Sequence, residues 1–161
     1  MNGWRKYMIM GLSCAGILCS CQDSPRFSCY GQVDREAWYS EDTVVMSVQE
    51  MDELLCETSV QDVEVVLGVR YTAEYRYRKL SLLWELTDEG HVVARDTVHF
   101  SLYNNEGKSQ GRGFVYFDKV QPSKRVTLKA GRNYELRVTH LMQLNPIEGI
   151  TDVQVMMKGE R

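Results

Sequence analysis

The 161-residue chain has no apolar run of membrane-spanning length. The stretch over residues 7–18 is interrupted by Gly11, Ser13 and Gly16, and it falls short of the ~20 apolar residues that a spanning helix needs. Histidine is scarce: His91, His99 and His140 stand alone, with no two at i, i+2 or i+4 spacing, so no local metal-ligand pair exists. They read as surface or edge side chains. No G-x-S-x-G is present, which removes the exposed-serine elbow of a hydrolase. Gly107, Gly111 and Gly113 precede no helical pattern and lack the following Lys-Ser/Thr pair, so they form no phosphate loop. The acidic neighbours Glu41-Asp42 and Asp88-Glu89 lie at strand starts and turns, where they are solvated and do not form a glycosidase pair. No repeat, low-complexity tract or second-domain linker interrupts the chain. No catalytic residue, metal or cofactor is expected.

An excess of basic charge is also missing. Lys and Arg number 19 against 22 Asp and Glu, for a net charge of −3. Removal of Arg5 and Lys6 with an N-terminal signal would leave 17 against 22, or −5. That balance argues against nucleic acid as a partner.

What is present begins with the N-terminus. Arg5 and Lys6 precede the apolar stretch and no acid appears before Asp23, the polarity of a secretory signal. Leu18-Cys19-Ser20-Cys21 closes it and resembles a bacterial lipobox. The expectation is a lipoprotein signal peptide over residues 1–20, palmitate-type acylation at Cys21, a flexible tether over residues 21–32 and a domain over residues 33–161. A cleaved, unlipidated signal and a retained helix are the alternatives. Loss of Cys14 and Cys19 with the signal leaves Cys29 and Cys56 as a candidate disulfide in an oxidising compartment, or as two thiols.

From Val33 onward, apolar residues recur with period two. The rows are Val44/Met46/Val48, Val63/Val65/Leu67/Val69, Leu80/Leu82/Trp84/Leu86, Val98/Phe100/Leu102, Phe114/Tyr116, Val126/Leu128, Tyr134/Leu136/Val138 and Val153/Val155/Met157. They amount to eight strands, or nine with a weaker stretch over residues 33–39. Turn chemistry separates them at Asp88-Glu89-Gly90, Asn104-Asn105-Glu106-Gly107, Pro122-Ser123 and Ala130-Gly131-Arg132-Asn133, and connections this short make antiparallel neighbours of the strands they join. Strands apolar on one face must bury that face against a second sheet. The expected fold is therefore all-β, a single antiparallel β-sandwich of jelly-roll or immunoglobulin-like type, with a closed barrel as the alternative. Only residues 47–57 show a helical face, through Val48, Met51, Leu54 and Leu55.

One stretch invites a binding role. Residues 70–79 hold Tyr71, Tyr75 and Tyr77 among Arg70, Arg76, Arg78 and Lys79, between two strongly apolar strands. Tyr71, Tyr75, Arg76, Tyr77 and Arg78 are the candidate contact surface for a protein or glycan. The structural alternative is that the tyrosines pack the edge of the core. Lys119, Lys124, Arg125, Lys129 and Arg132 alternate as a solvated strand face.

Several runs together resemble the gliding-motility lipoprotein GldH family of the Bacteroidetes. They are Tyr75-Arg76-Tyr77-Arg78-Lys79-Leu80, Asp96-Thr97-Val98, Leu102-Tyr103-Asn104 with the three glycines, and Gly131-Arg132-Asn133-Tyr134-Glu135-Leu136. His140-Leu141-Met142 and the run from Leu144 to Val153 complete the likeness. Where the family carries Pro, Trp and Arg, this chain has Arg76, Ser109, and Gln143 or Leu141. The resemblance implies an envelope lipoprotein of the motility or secretion apparatus, or a relative serving another envelope task. The expectation is a non-enzymatic interaction module held by an N-terminal lipid in the outer membrane, with an envelope protein complex as partner. A carbohydrate-binding sandwich is the alternative. Asp42-Thr43-Val44 and Asp96-Thr97-Val98 also resemble the O-glycosylation acceptor of exported proteins in that phylum, making Thr43 and Thr97 candidate sites; a turn followed by a strand start is the plain reading of both.

Overall fold

The computed structural model describes residues 27–33, 37–48 and 60–159. The signal stretch, Cys21, Cys56 and residues 49–57 of the helical pattern lie outside the described residues. Within them the chain forms eleven strands and no helix: β1 (Phe27–Gln32), β2 (Ala37–Trp38), β3 (Val44–Ser47), β4 (Val60–Thr72), β5 (Lys79–Asp88), β6 (His91–Ser101), β7 (Arg112–Gly113), β8 (Tyr116–Lys129), β9 (Tyr134–His140), β10 (Ile147–Glu148) and β11 (Ile150–Gly159). Five strands make one sheet in the order β1-β11-β4-β8-β7, and four make the other in the order β3-β9-β5-β6. β10 and β2 form a small separate ribbon. Every pairing is antiparallel.

The apolar rows supply the core of this sandwich. Val63, Val65, Leu67 and Val69 of β4 and Val153, Val155 and Met157 of β11 are buried from one sheet. Leu80, Leu82, Trp84 and Leu86 of β5 and Leu136 and Val138 of β9 meet them from the other. Each fully buried aliphatic or aromatic side chain contributes about 1.5–3 kcal/mol through removal from water. Glu89 and Gly90, both at positive φ, turn β5 into β6 at the expected position.

Three expectations are corrected. Residues 27–32, read as the end of the tether, are β1, paired with β11 from Phe27↔Met157 to Gln32↔Asp152. Their inward positions are Phe27, Cys29 and Gly31, too small on average to announce a strand; a Cβ on Gly31 would overlap Val44 of the facing sheet. Second, Pro122-Ser123 is no turn. β8 runs through it, and two residues, Ser123 and Lys124, oppose the single Val65, because Val66 pairs with Pro122 and Glu64 with Arg125. This β-bulge reverses which face each residue presents. Phe117, Lys119 and Gln121 lean inward before it, and Val126 and Leu128 after it. Proline is tolerated there because β7 covers β8 only at Phe117 and Asp118, so that among the described residues the edge is unpaired at Pro122. Third, the turn over residues 130–133 carries the chain from one sheet to the other, since β8 and β9 belong to different sheets.

The registers bring the ends of β4, β6 and β9 together with the starts of β5, β8 and β11 at one end of the sandwich. The turns at 88–91 and 130–133 lie at the other. Phe27, through Met157, is level with Val65. Seven residue steps along β4 separate Val65 from Thr72, about 23 Å at ~3.3 Å per residue.

Candidate functional site

Two loops, residues 73–78 and 102–111, meet at the end reached by Thr72. The first turns back at once, with Tyr75 N–H donating to Thr72 O at 3.2 Å and Glu74 N–H to Thr72 Oγ1 at 3.3 Å. Tyr75 is buried and its hydroxyl donates to Lys79 O at 2.7 Å, so the ring plugs the loop it belongs to. Burial pushes its phenol pKa far up, and it stays neutral. Behind it sits Gly149 at φ +81°, where any Cβ would overlap the Tyr75 backbone nitrogen.

Tyr71 holds the second loop. Its hydroxyl donates to Leu102 O at 2.9 Å, accepts from Gly111 N–H at 2.9 Å and lies 2.8 Å from Ser109 Oγ. Its ring packs against Tyr75, Tyr103 and Phe117 with centroids 5.5–6.5 Å apart, within the range in which aromatic pairs attract. Asn104 then builds the tip, its Oδ1 accepting from Glu106 N–H and Lys108 N–H at 2.9 Å each.

Between the two loops lies an open groove of about 440 Å³, lined chiefly by Tyr75, Arg76, Arg78, Tyr103 and Phe117. Arg78 donates to Asn105 Oδ1 across it. The floor is aromatic, the rim carries two guanidiniums, and no acid among the described residues lines it. Beside the groove the β7–β8 connection projects Phe114, 99% exposed, and Val115, 71% exposed. Gly113 at φ +135° permits that turn, since a Cβ there would overlap Tyr116 O. Tyr116 and Tyr77 are also exposed.

The proposed contact set therefore divides. Arg76, Tyr77 and Arg78 are exposed; Tyr71 and Tyr75 are buried and are corrected to structural roles. Arg70 lies apart from the loops on the outer sheet face, paired with Asp118 at 2.8 Å. Phe114 and Tyr116 were expected to face inward and do not. Tyr103 and Phe117 are groove residues that period-two reading did not mark, because one follows β6 and the other precedes the bulge.

The remaining candidates are scattered. Thr43 is exposed in the loop before β3. Thr97 is half-buried in the middle of β6, opposite Leu83, so the strand-start reading of Asp96-Thr97-Val98 is wrong. Cys29 is half-buried with its Sγ 3.5 Å from Met46 Sδ; Cys56 lies outside the described residues. His91 and His99 are exposed. His140 departs from the surface expectation: it is buried, 3.1 Å from Trp38 O and edge-on to the Trp38 ring, and desolvation holds its pKa below the ordinary value. Among the described residues no three His, Cys, Asp or Glu side chains converge as a metal site.

The class defined by this geometry is an antiparallel β-sandwich with an aromatic, cation-rimmed groove among the loops at one end. The chain belongs to the GldH lipoprotein family, whose model matches residues 26–156. Membership of a lipoprotein family implies a lipid-anchored envelope protein, and the GldH family suggests a relation to gliding motility. No curated protein gives a significant match.

Three solved structures are distant likenesses. A CocE/NonD family hydrolase from Staphylococcus aureus is 11% identical with a TM-score of 0.36, the match covering 84% of this chain and 33% of that one. Dimeric latent PorU from Porphyromonas gingivalis is 12% identical with a TM-score of 0.32, covering 83% and 12%. Eiger TNF from S. frugiperda is 11% identical with a TM-score of 0.34, covering 86% and 96%. This chain thus spans a third or less of the first two. At such scores none of the three bears on function.

Proposed function

We propose that the protein is a non-catalytic interaction module of the outer membrane, anchored through acyl chains on Cys21 and serving a motility or secretion complex by binding a partner at its loop end. The observation that supports it is the groove at the loop end, where guanidiniums and aromatic rings face solvent together. Arg and aromatic side chains combine wide contact area with directed hydrogen bonds, which is why they dominate interface energetics. Family membership supplies the envelope setting, and Leu18-Cys19-Ser20-Cys21 supplies the anchor.

The test is made in native membranes. Wild-type protein should label with palmitate, fractionate with the outer membrane and co-purify with a defined envelope protein after crosslinking. Cys21→Ser should lose both label and membrane retention. Lipid-bearing, membrane-bound Cys21→Ser protein would refute the anchor.

A second reading, glycan binding, draws on Tyr103 and Phe117 in the groove. A glycan array distinguishes it: specific binding lost in Tyr103→Ala would favour a carbohydrate ligand, and no binding would favour the protein partner.

A further inference from the structure

The apolar tip Phe114-Val115 has no role in the fold. Phe114 is 99% exposed, so it adds nothing to the core, while Gly113 gives the turn a backbone that only glycine adopts without overlap. Around it the charge is one-sided. Residues 73–79 and 102–115 carry Arg76, Arg78, Lys79, Lys108 and Arg112 against Glu74 and Glu106, all exposed, on a chain whose net charge is −3. An exposed apolar knob ringed by cations fits a surface with an apolar recess and acidic surroundings.

The position of the anchor selects among occupants. From Cys21 to Phe27 the chain has six Cα steps, at most about 21 Å fully extended. Phe27 lies about 23 Å along the sheet from Thr72, level with Val65, and Phe114 lies beyond Thr72, whose partner is Tyr116. An upright domain cannot fold its loop end back onto the membrane that holds Cys21. In that upright pose the tip faces away from the membrane.

We propose that the tip Phe114-Val115, together with Arg76, Arg78 and Arg112, is the docking surface for an acidic protein partner standing off the anchoring membrane. This rests on the reading of the chain as a Cys21-anchored interaction module. Phe114 and Val115 enter the partner's apolar recess, and the guanidiniums pair with carboxylates at its rim. A neutral or basic surface would leave those guanidiniums desolvated without compensation.

The experiment places a photo-reactive phenylalanine analogue at Phe114, at Tyr77 and, as a control, at Val93. Val93 is exposed and apolar but lies near the turn at the opposite end. Full-length lipoprotein is irradiated in its native host and adducts are identified by mass. The expected result is one and the same acidic protein at positions 114 and 77, none at 93, and a yield at 114 reduced about tenfold or more by Arg76→Glu with Arg78→Glu. These exposed substitutions should leave the thermal transition unchanged. An adduct at 93 but not at 114 would overturn the docking surface and leave the interaction module standing. Lipid or glycan adducts at 114, or a protein adduct indifferent to charge reversal, would overturn the acidic protein partner. No adduct at any position, with no co-purifying protein, would overturn both readings.

Discussion

The indole N–H of Trp84 donates to Ser123 Oγ at 2.9 Å, and that hydroxyl donates in turn to Asp96 Oδ2 at 2.7 Å. Trp84 and Asp96 belong to one sheet and Ser123 to the bulge of the other, so one hydroxyl joins the two layers where β6 and β8 face each other. Lys124, the second bulge residue, places its ammonium 5.9 Å from the centre of the Trp84 ring. The bulge that disrupts the register of β8 thus satisfies the one polar atom of a buried tryptophan.

Ser123→Ala leaves that indole N–H without its acceptor and removes one donor from Asp96. The expected cost is about 1–3 kcal/mol, read from the urea midpoint, because an unsatisfied buried donor forfeits its hydration. Trp84→Phe in the Ser123→Ala background should recover part of the loss.

The Ser123 hydroxyl also holds the Asp96 carboxyl below its ordinary pKa. A carboxylate depressed in the folded state contributes stability that is present above its unfolded pKa and is lost as pH falls through the folded value. Acid unfolding below about pH 4 should therefore shift to higher pH in Ser123→Ala, measured by circular dichroism across a pH series.

His140 gives an acid sensitivity in a different window. Desolvation lowers its pKa in the fold, so the unfolded chain takes up the proton first. Stability is full above about pH 6.5 and falls as pH drops below it, by at most about 1.4 kcal/mol per pH unit for one proton. The slope between pH 7 and 5 should flatten in His140→Gln. An equal slope in that variant would assign the effect elsewhere.

Tyr71→Phe removes the hydroxyl that receives Gly111 N–H and donates to Leu102 O. The expected destabilisation is about 1–3 kcal/mol. Hydrogen exchange should accelerate over residues 102–111 and leave β9 and β11 unchanged.

Gly149→Ala tests the seat of the first loop. The left-handed backbone alone costs about 1–3 kcal/mol for a residue with a side chain, and overlap with Tyr75 adds to it. Gly90→Ala has a similar φ of +82° with open space around it, so only the backbone cost applies. The difference in urea midpoint between the two variants measures how closely the loop rests on Gly149.

The period-two rows on β4, β5, β9 and β11 were legible because burial on one face of an antiparallel strand imposes alternation on the residues themselves. The hairpin at Asp88-Glu89-Gly90 was legible for a related reason: its positive φ values are a local demand that the turn sequence meets. The aromatic-basic character of residues 70–79 pointed to the end of the molecule where the groove lies. It left undecided which tyrosines were surface, since Tyr75 and Tyr77 are near neighbours in sequence and only the packing behind Gly149 buries one of them.

By itself, then, the sequence determined an all-β sandwich, its main core rows, and a lipoprotein family likeness carried by local runs of residues. Those are properties of short stretches, and alternation or motif order is enough to encode them. Only the tertiary structure decided that β1 begins at Phe27, that Tyr71 and Tyr75 are braces, that Tyr103 and Phe117 share a groove with Arg76 and Arg78, and that Phe114 points outward. Each of these depends on what stands opposite a residue. In β8 the insertion of one residue across from Val65 reverses every side chain that precedes it, and no pattern within the strand records its partner.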